Sequence, residues 1–227
     1  MHGHRIGLIV PSSNTTMEME LHRVLPDGIS LHTSRVPLTK VTEGELIKMN
    51  ALAAESARLL KDAKVDLILY GCTSGSFIGG IAFENEIEIP IITTSTAVIE
   101  ALKVLDTRHI IVVTPYTNEI NQKEREFIEN NGIEVLKIKG MGIVDNTKIG
   151  KLESHEAYKM AEAIYTEEAD AIFISCTNLR TFEIIESLEK ELETHVVTSN
   201  QASLWLALRK LGIGEKIPKL GKLLTEY

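Results

Sequence analysis

Asp66-Leu67-Ile68-Leu69-Tyr70-Gly71-Cys72-Thr73-Ser74 returns 104 residues later as Asp170-Ala171-Ile172-Phe173-Ile174-Ser175-Cys176-Thr177-Asn178. Each stretch is an acidic residue, an unbroken apolar run of strand length, and Cys-Thr where the strand should end. An apolar run without alternation marks a strand buried on both faces, as in a parallel sheet covered by helices. Outward from it, Pro11-Ser12-Ser13-Asn14 pairs with Pro115-Tyr116-Thr117-Asn118 at the same offset, and Thr94-Ser95 with Thr198-Ser199. Both prolines stand 61 residues before their cysteine. Two unrelated α/β halves would share an order of elements but not a constant spacing across four motifs. The chain therefore reads as a duplicated α/β unit with pseudo-two-fold symmetry. The strand ends of the two parallel sheets, where such folds bind ligands, face one cleft. No Pro- or Ser-rich linker parts the halves, so residues 1–95 with 200–227 are taken as the first and residues 96–199 as the second.

Between these anchors short β-branched runs alternate with helical periodicity. Strands are expected at 5–10, 30–36, 65–70 and 89–93, then at 109–114, 133–139, 171–175 and 195–198. Helices are expected at 15–25, 42–63, 94–105, 119–130, 154–167, 182–192 and 201–211. Thr42 followed by Glu45 predicts a capping box. The Gly/Ser-rich stretch after Cys72 reads as a loop, and Asn146, in a polar segment between Gly142 and Gly150, reads as part of a turn.

The 227 residues suffice for a sizeable core, and 44% hydrophobic with 25% charged residues is ordinary for a globular protein. A net charge of −8 argues against nucleic acid as a partner. It leaves small anions open, since a local pocket can be neutral or positive. There is no signal-peptide layout at the start and no apolar run of membrane-spanning length, so the expected compartment is the cytoplasm and no membrane partner is expected. In that compartment the two cysteines are free thiols.

Cys72 and Cys176 carry the chemistry that the pattern suggests. A lone buried cysteine is commonly just a small hydrophobe. Two at equivalent strand ends point instead to one sulfur on each side of a small substrate, one as nucleophile or base and the other as proton donor. Ser12 and Asn14 can donate hydrogen bonds to a carboxylate, although both residue types also serve turns and caps. Tyr116 occupies the matching loop of the second half. Two thiolates without His or further Cys at ligand spacing do not make a zinc site, and His2 with His4 reads as a frayed terminal pair. Glycine-rich nucleotide motifs and a nucleophile elbow are absent from the sequence.

One cysteine per duplicated half resembles the aspartate/glutamate racemase superfamily. Gly7-Leu8-Ile9-Val10-Pro11-Ser12-Ser13-Asn14-Thr15-Thr16, Gly71-Cys72-Thr73-Ser74-Gly75-Ser76 and Ser175-Cys176-Thr177-Asn178-Leu179-Arg180 are similar to its maleate isomerase branch. The resemblance covers nearly the whole chain. Amino-acid racemases of the superfamily carry Asp at the first strand end and His after the second Cys-Thr. Here Pro-Ser-Ser-Asn and Asn178 stand in those places. Arylmalonate decarboxylases keep one of the two cysteines, and this chain keeps both. The resemblance implies a cis–trans isomerase for a small dicarboxylate, acting without cofactor through a thioether adduct and assembled as a homodimer. Cys72 becomes the nucleophile and Cys176 the proton donor by family analogy alone. Asn14, Tyr116 and Asn146 bind the substrate carboxylates on the same footing, and the loops carrying Thr73, Ser74, Thr177 and Asn178 add donors. A racemase or decarboxylase moving protons by cysteine, and a non-catalytic diacid-binding protein, are the competing readings.

Overall fold

The duplication is visible in the backbone of the computed structural model, which describes residues 3–79 and 87–227. Strands β1 (His4–Pro11), β2 (Ile29–Val36), β3 (Leu67–Tyr70) and β4 (Ile91–Thr93) form a parallel sheet in the order β2-β1-β3-β4. Strands β5 (His109–Thr114), β6 (Glu134–Gly140), β7 (Ala171–Ile174) and β8 (His195–Thr198) form a second, in the order β6-β5-β7-β8. Helices α1 (Met17–His22), α2 (Glu43–Asp62), α3 (Thr73–Phe77) and α4 (Thr94–Val104) belong to the first cycle. Helices α5 (Asn118–Asn130), α6 (Asn146–Ile149), α7 (Ser154–Ile164), α8 (Ile185–Leu192) and α9 (Ser199–Lys210) belong to the second, and α10 (Gly221–Glu226) closes the chain. The expected two-half α/β architecture is the observed one. The boundary drawn near residue 95 falls in the first turn of α4.

Register explains the conserved spacing. Ile6 pairs with Leu67 and Ile110 with Ala171, so both central strand pairs span the same length of chain. The acidic residue heading each motif fastens that pairing. Asp66 Oδ2 accepts the Arg5 N–H at 2.8 Å, and Asp170 Oδ2 accepts the His109 N–H at 2.8 Å. The last motif is corrected by one residue. Tyr70 pairs with Thr93 whereas Ile174 pairs with Thr198, and Thr93 and Thr198 are the N-caps of α4 and α9. The counterpart of Thr198-Ser199 is thus Thr93-Thr94, at an offset of 105, because the second half has one more residue before its final strand.

Other expectations fail for local reasons. Thr42 makes no side-chain cap bond to α2, and the Glu45 carboxylate, the other half of the box, accepts from Lys48 at 2.9 Å. Capping boxes form instead at Glu153/Glu156 and Thr198/Gln201. The Gly/Ser stretch after Cys72 contains α3. The turn expected around Asn146 is the short α6, started by Asp145, which accepts N–H bonds from Thr147 and Lys148. His4 opens β1 rather than fraying, and His2 lies outside the described residues. No helix among the described residues is long and apolar enough to cross a membrane.

Helix α9 is buried from Ser199 to Leu208 and packs on α4, with Ser203 Oγ donating to Thr94 Oγ1 at 3.3 Å. Gly71 sits where β3 meets the cleft. A Cβ there would stand 2.6 Å from Met17 Sδ and 2.9 Å from Val10 Cγ1. Gly71→Ala is expected to lose about 1–3 kcal/mol of stability by overpacking, read from urea midpoints, and to lower activity by displacing Cys72.

Candidate active site

Strands β3 and β7 both stop two residues before a cysteine, so the fold delivers both sulfurs to the facing strand ends. The two thiols are nearly closed off, Cys72 at 4% exposure and Cys176 at 5%. Their local settings differ. Cys72 is the N-cap of α3, with Sγ accepting the Gly75 N–H at 3.3 Å and the Ser74 hydroxyl 3.9 Å away. Gly75 permits that approach, because a Cβ there would lie 3.0 Å from the sulfur. Cys176 adopts φ +102°, a conformation costly for a residue with a side chain by about 1–3 kcal/mol. Its N–H donates to Ser199 Oγ at 3.0 Å, its Sγ accepts the Asn178 N–H at 3.4 Å, and the Tyr116 hydroxyl donates to the same sulfur.

Burial dominates the electrostatics. It pushes the Cys72 thiol up to about 11, against the Gly75 N–H and Ser74 hydroxyl, which favour thiolate. Burial pushes Cys176 up to about 12, with Tyr116 and Asn178 opposing. A charge on Cys72 raises Cys176 further, and it also raises the Tyr116 phenol, which burial already holds well above its ordinary value. The pair therefore accommodates one negative charge more readily than two.

Hydrogen bonds sew the halves together around the sulfurs. Asn14 Oδ1 accepts the N–H groups of Thr16 and Met17 at 3.0 Å each, starting α1, and its Nδ2 donates to Thr177 Oγ1 at 3.1 Å. Thr177 Oγ1 donates to the Gly71 carbonyl at 3.0 Å, and Thr73 Oγ1 donates to Ser199 Oγ at 2.9 Å. Asn146 Nδ2 donates to Ser13 Oγ at 2.8 Å. Asn178 is committed at both ends, Oδ1 to the Thr15 N–H at 2.9 Å and Nδ2 to the Asn146 carbonyl at 2.7 Å. Ser12 is exposed, and its hydroxyl bonds the Leu38 backbone instead of facing the sulfurs. Beside Asn146 the loops of the two halves are clasped by an antiparallel backbone β-bridge between Lys40 and Asp145 and a Val41 N–H bond to the Val144 carbonyl at 2.7 Å. Open surface grooves, such as that lined by Glu186, Glu189 and Lys222, share no residue with this site. Among the described residues no three His, Cys, Asp or Glu side chains are grouped to hold a metal ion.

The sequence of the chain belongs with known proteins, as the signature of the arylmalonate decarboxylase family matches residues 6–224. The chain belongs to that family. A family relative, the maleate isomerase of Nocardia farcinica, is 28% identical over 98% of this chain and 96% of its own length. A cysteine-to-alanine variant of a Pseudomonas putida maleate isomerase, solved with maleate, has a TM-score of 0.92 at 28% identity, covering 98% of this chain and 97% of that one. A cysteine-to-serine variant of the Nocardia farcinica maleate cis-trans isomerase holds a covalently bound succinylcysteine intermediate. It has a TM-score of 0.93 at 26% identity, covering 99% of each chain.

Three buried groups at the junction of the halves were not singled out from the sequence. Ser199 gathers Thr73 and the Cys176 N–H, and the duplicated Thr-Ser was noticed only as a repeat. Glu20 on α1 and Glu124 on α5 are buried glutamates, at 3% and 1% exposure. Burial holds the Glu124 carboxyl up to about 8, above the ordinary 4.5, although Ser175 donates to it. Between those values the folded chain keeps a proton that the unfolded chain has released, so stability falls as pH rises through that window. Glu124→Gln is expected to flatten that fall by at most about 1.4 kcal/mol per pH unit, measured by denaturant unfolding from pH 5 to 8. Glu20, also raised by burial, keeps a slope of the same sign in the variant.

Proposed function

We propose that this chain is a cofactor-independent cis–trans isomerase that converts maleate to fumarate through a cysteine adduct. Maleate is a cis-alkene between two carboxylates, and its geometry changes only when the double bond is temporarily lost. The Cys72 thiolate adds to one alkene carbon, and the π electrons move onto the other carbon and its carboxylate as an enediolate. Cys176 S–H protonates that second carbon, leaving Cys72 bearing a succinyl thioether with a rotatable carbon–carbon bond. After rotation the Cys176 thiolate takes a proton back, the double bond re-forms, and the carbon–sulfur bond breaks. Fumarate leaves, and both sulfurs return to their starting forms.

Neutral donors hold the dianion in this reading. The amides of Asn14 and Asn146, the Tyr116 hydroxyl and the loops of Thr73, Ser74 and Thr177 present them, and donors fixed in a water-poor site act strongly on developing negative charge. Ser12 and Asn178 contribute by bracing the loops. The observation that carries the reading is the inequality of two thiols sharing one closed cleft, where a charge on one opposes a charge on the other. Two buried, reduced thiols also suit a cytoplasmic setting. A homodimer is the assembly proposed, and light scattering at several concentrations tests it.

The deciding experiment incubates the protein with maleate, without added cofactor, and follows fumarate by proton NMR. Appearance of fumarate at a rate proportional to enzyme supports the reading. Decarboxylation of an arylmalonate, or solvent deuterium entering an amino acid, with no fumarate formed would move the chain to the proton-transfer branch. Binding of maleate without turnover of any of these would make it a diacid-binding protein.

A further inference from the structure

Cysteine is not the only chemistry repeated at the 104-residue offset. Glu20 on α1 and Glu124 on α5 share it, and both are buried at the junction of the halves. Glu20 is saturated. Its Oε1 accepts the N–H groups of Thr181 at 2.8 Å and Phe182 at 3.1 Å, and its Oε2 accepts Asn200 Nδ2 at 2.7 Å. Glu124, 1% exposed, accepts from Ser175 Oγ at 2.5 Å on Oε1, and its Oε2 has no partner among the described residues. Carried back by the 105-residue offset of the final helices, the Asn200 position is Ser95. The shorter side chain leaves a small cavity beside Glu124, with Thr73 and Ser95 as polar walls and Phe77 and Phe127 among the apolar ones.

The donor to Glu124, Ser175, is the chain neighbour of Cys176. Glu124 also lies within electrostatic reach of the Cys176 sulfur and of Tyr116, which donates to that sulfur. Among the described residues no carboxyl acts on Cys72 in this way, and the groups acting on it are the Gly75 N–H and the Ser74 hydroxyl. An anion at Glu124 therefore works more strongly against a thiolate on Cys176 than against one on Cys72. The α3 and α4 walls bring no charge to the cavity. On α5 the neighbouring Lys123 is paired with Glu43 at 3.0 Å, with Glu126 close by.

We infer that Glu124 is a positioning residue that holds the shared proton of the cysteine pair on Cys176 and leaves the negative charge of the pair on Cys72. Its catalytic consequence rests on the isomerase reading, whereas the placement of the proton needs no substrate. The near-symmetry of the two motifs is broken by one carboxyl that its mate's ligand, Asn200, does not have a counterpart to satisfy.

Slow alkylation with iodoacetamide, quantified by peptide mass spectrometry, reads the thiolate share of each cysteine without substrate. In the native protein the ratio of Cys72 to Cys176 labelling should climb as pH passes through about 8, where Glu124 loses its proton. In Glu124→Gln, whose amide oxygen still accepts from Ser175, the climb should vanish, leaving the ratio at pH 9 about three- to tenfold below native. Ser175→Ala removes a donor that favours the carboxylate, so the climb should persist at higher pH. An unchanged ratio in Glu124→Gln, or an equal change at both cysteines, overturns the inference. If Glu124→Gln does not fold, an unshifted climb in Ser175→Ala overturns it. Maleate left unconverted by a protein whose ratio behaves as expected removes the isomerase reading and leaves the inference standing.

Discussion

Cys72→Ser is expected to lower kcat for maleate by at least about 10³-fold, the scale on which removal of a covalent nucleophile acts. A serine hydroxyl ionises far too reluctantly to add to an alkene. The site around it should survive the change. Serine is a good N-cap, so the hydroxyl takes over the Gly75 N–H bond that the sulfur accepts and α3 keeps its start. The proposed carboxylate donors, Asn14, Tyr116 and Asn146, lie on other elements and are untouched. KM should therefore stay within a few-fold of native while kcat collapses, the pattern of a group used in the chemical step. Steady-state kinetics beside an unfolding curve checks this, and kcat within tenfold of native would remove Cys72 as the nucleophile.

Cys176→Ser is the second large effect, a loss of about 10²–10⁴-fold, the usual contribution of a positioned acid or base. The two losses should differ in kind. With Cys72 present, addition still occurs and the stabilised enediolate can take a proton from serine or from water. The succinyl thioether that results lacks the thiolate base that should remove its proton after rotation. It accumulates, and intact mass should show the protein increased by one maleic acid, whereas Cys72→Ser shows no increase. Serine at 176 inherits the φ of +102° and the N–H bond to Ser199, so little reorganisation is expected.

The constant offset made the fold readable because parallel pairing fixes chain length between neighbours. Ile6 with Leu67 and Ile110 with Ala171 leave no freedom to drift. What escaped reading is of two kinds. Helices α3 and α6 are one turn long and built of polar residues, with a Cys72 sulfur and an Asp145 carboxylate as their caps, so no apolar periodicity announces them. The other kind is long-range. Thr15 meets Asn178, and Glu20 meets Asn200, across more than 160 residues of sequence. Both glutamates stand at the same offset as the cysteines, but nothing in the sequence separates them from helix glutamates that face solvent. The positive φ of Cys176, which separates it from its mate, has no sequence signature at all. For that reason the difference between the settings of the two sulfurs is visible only in the structure.

The central claim is that catalysis passes through a thioether on Cys72. Its most direct test mixes Cys176→Ser with maleate, quenches in acid, digests, and locates the added mass by tandem mass spectrometry. The account predicts a succinyl group on the Cys72 peptide, formed ahead of the small residual turnover and absent when a saturated diacid replaces maleate. Fumarate production with no adduct on Cys72 at any quench time would contradict it.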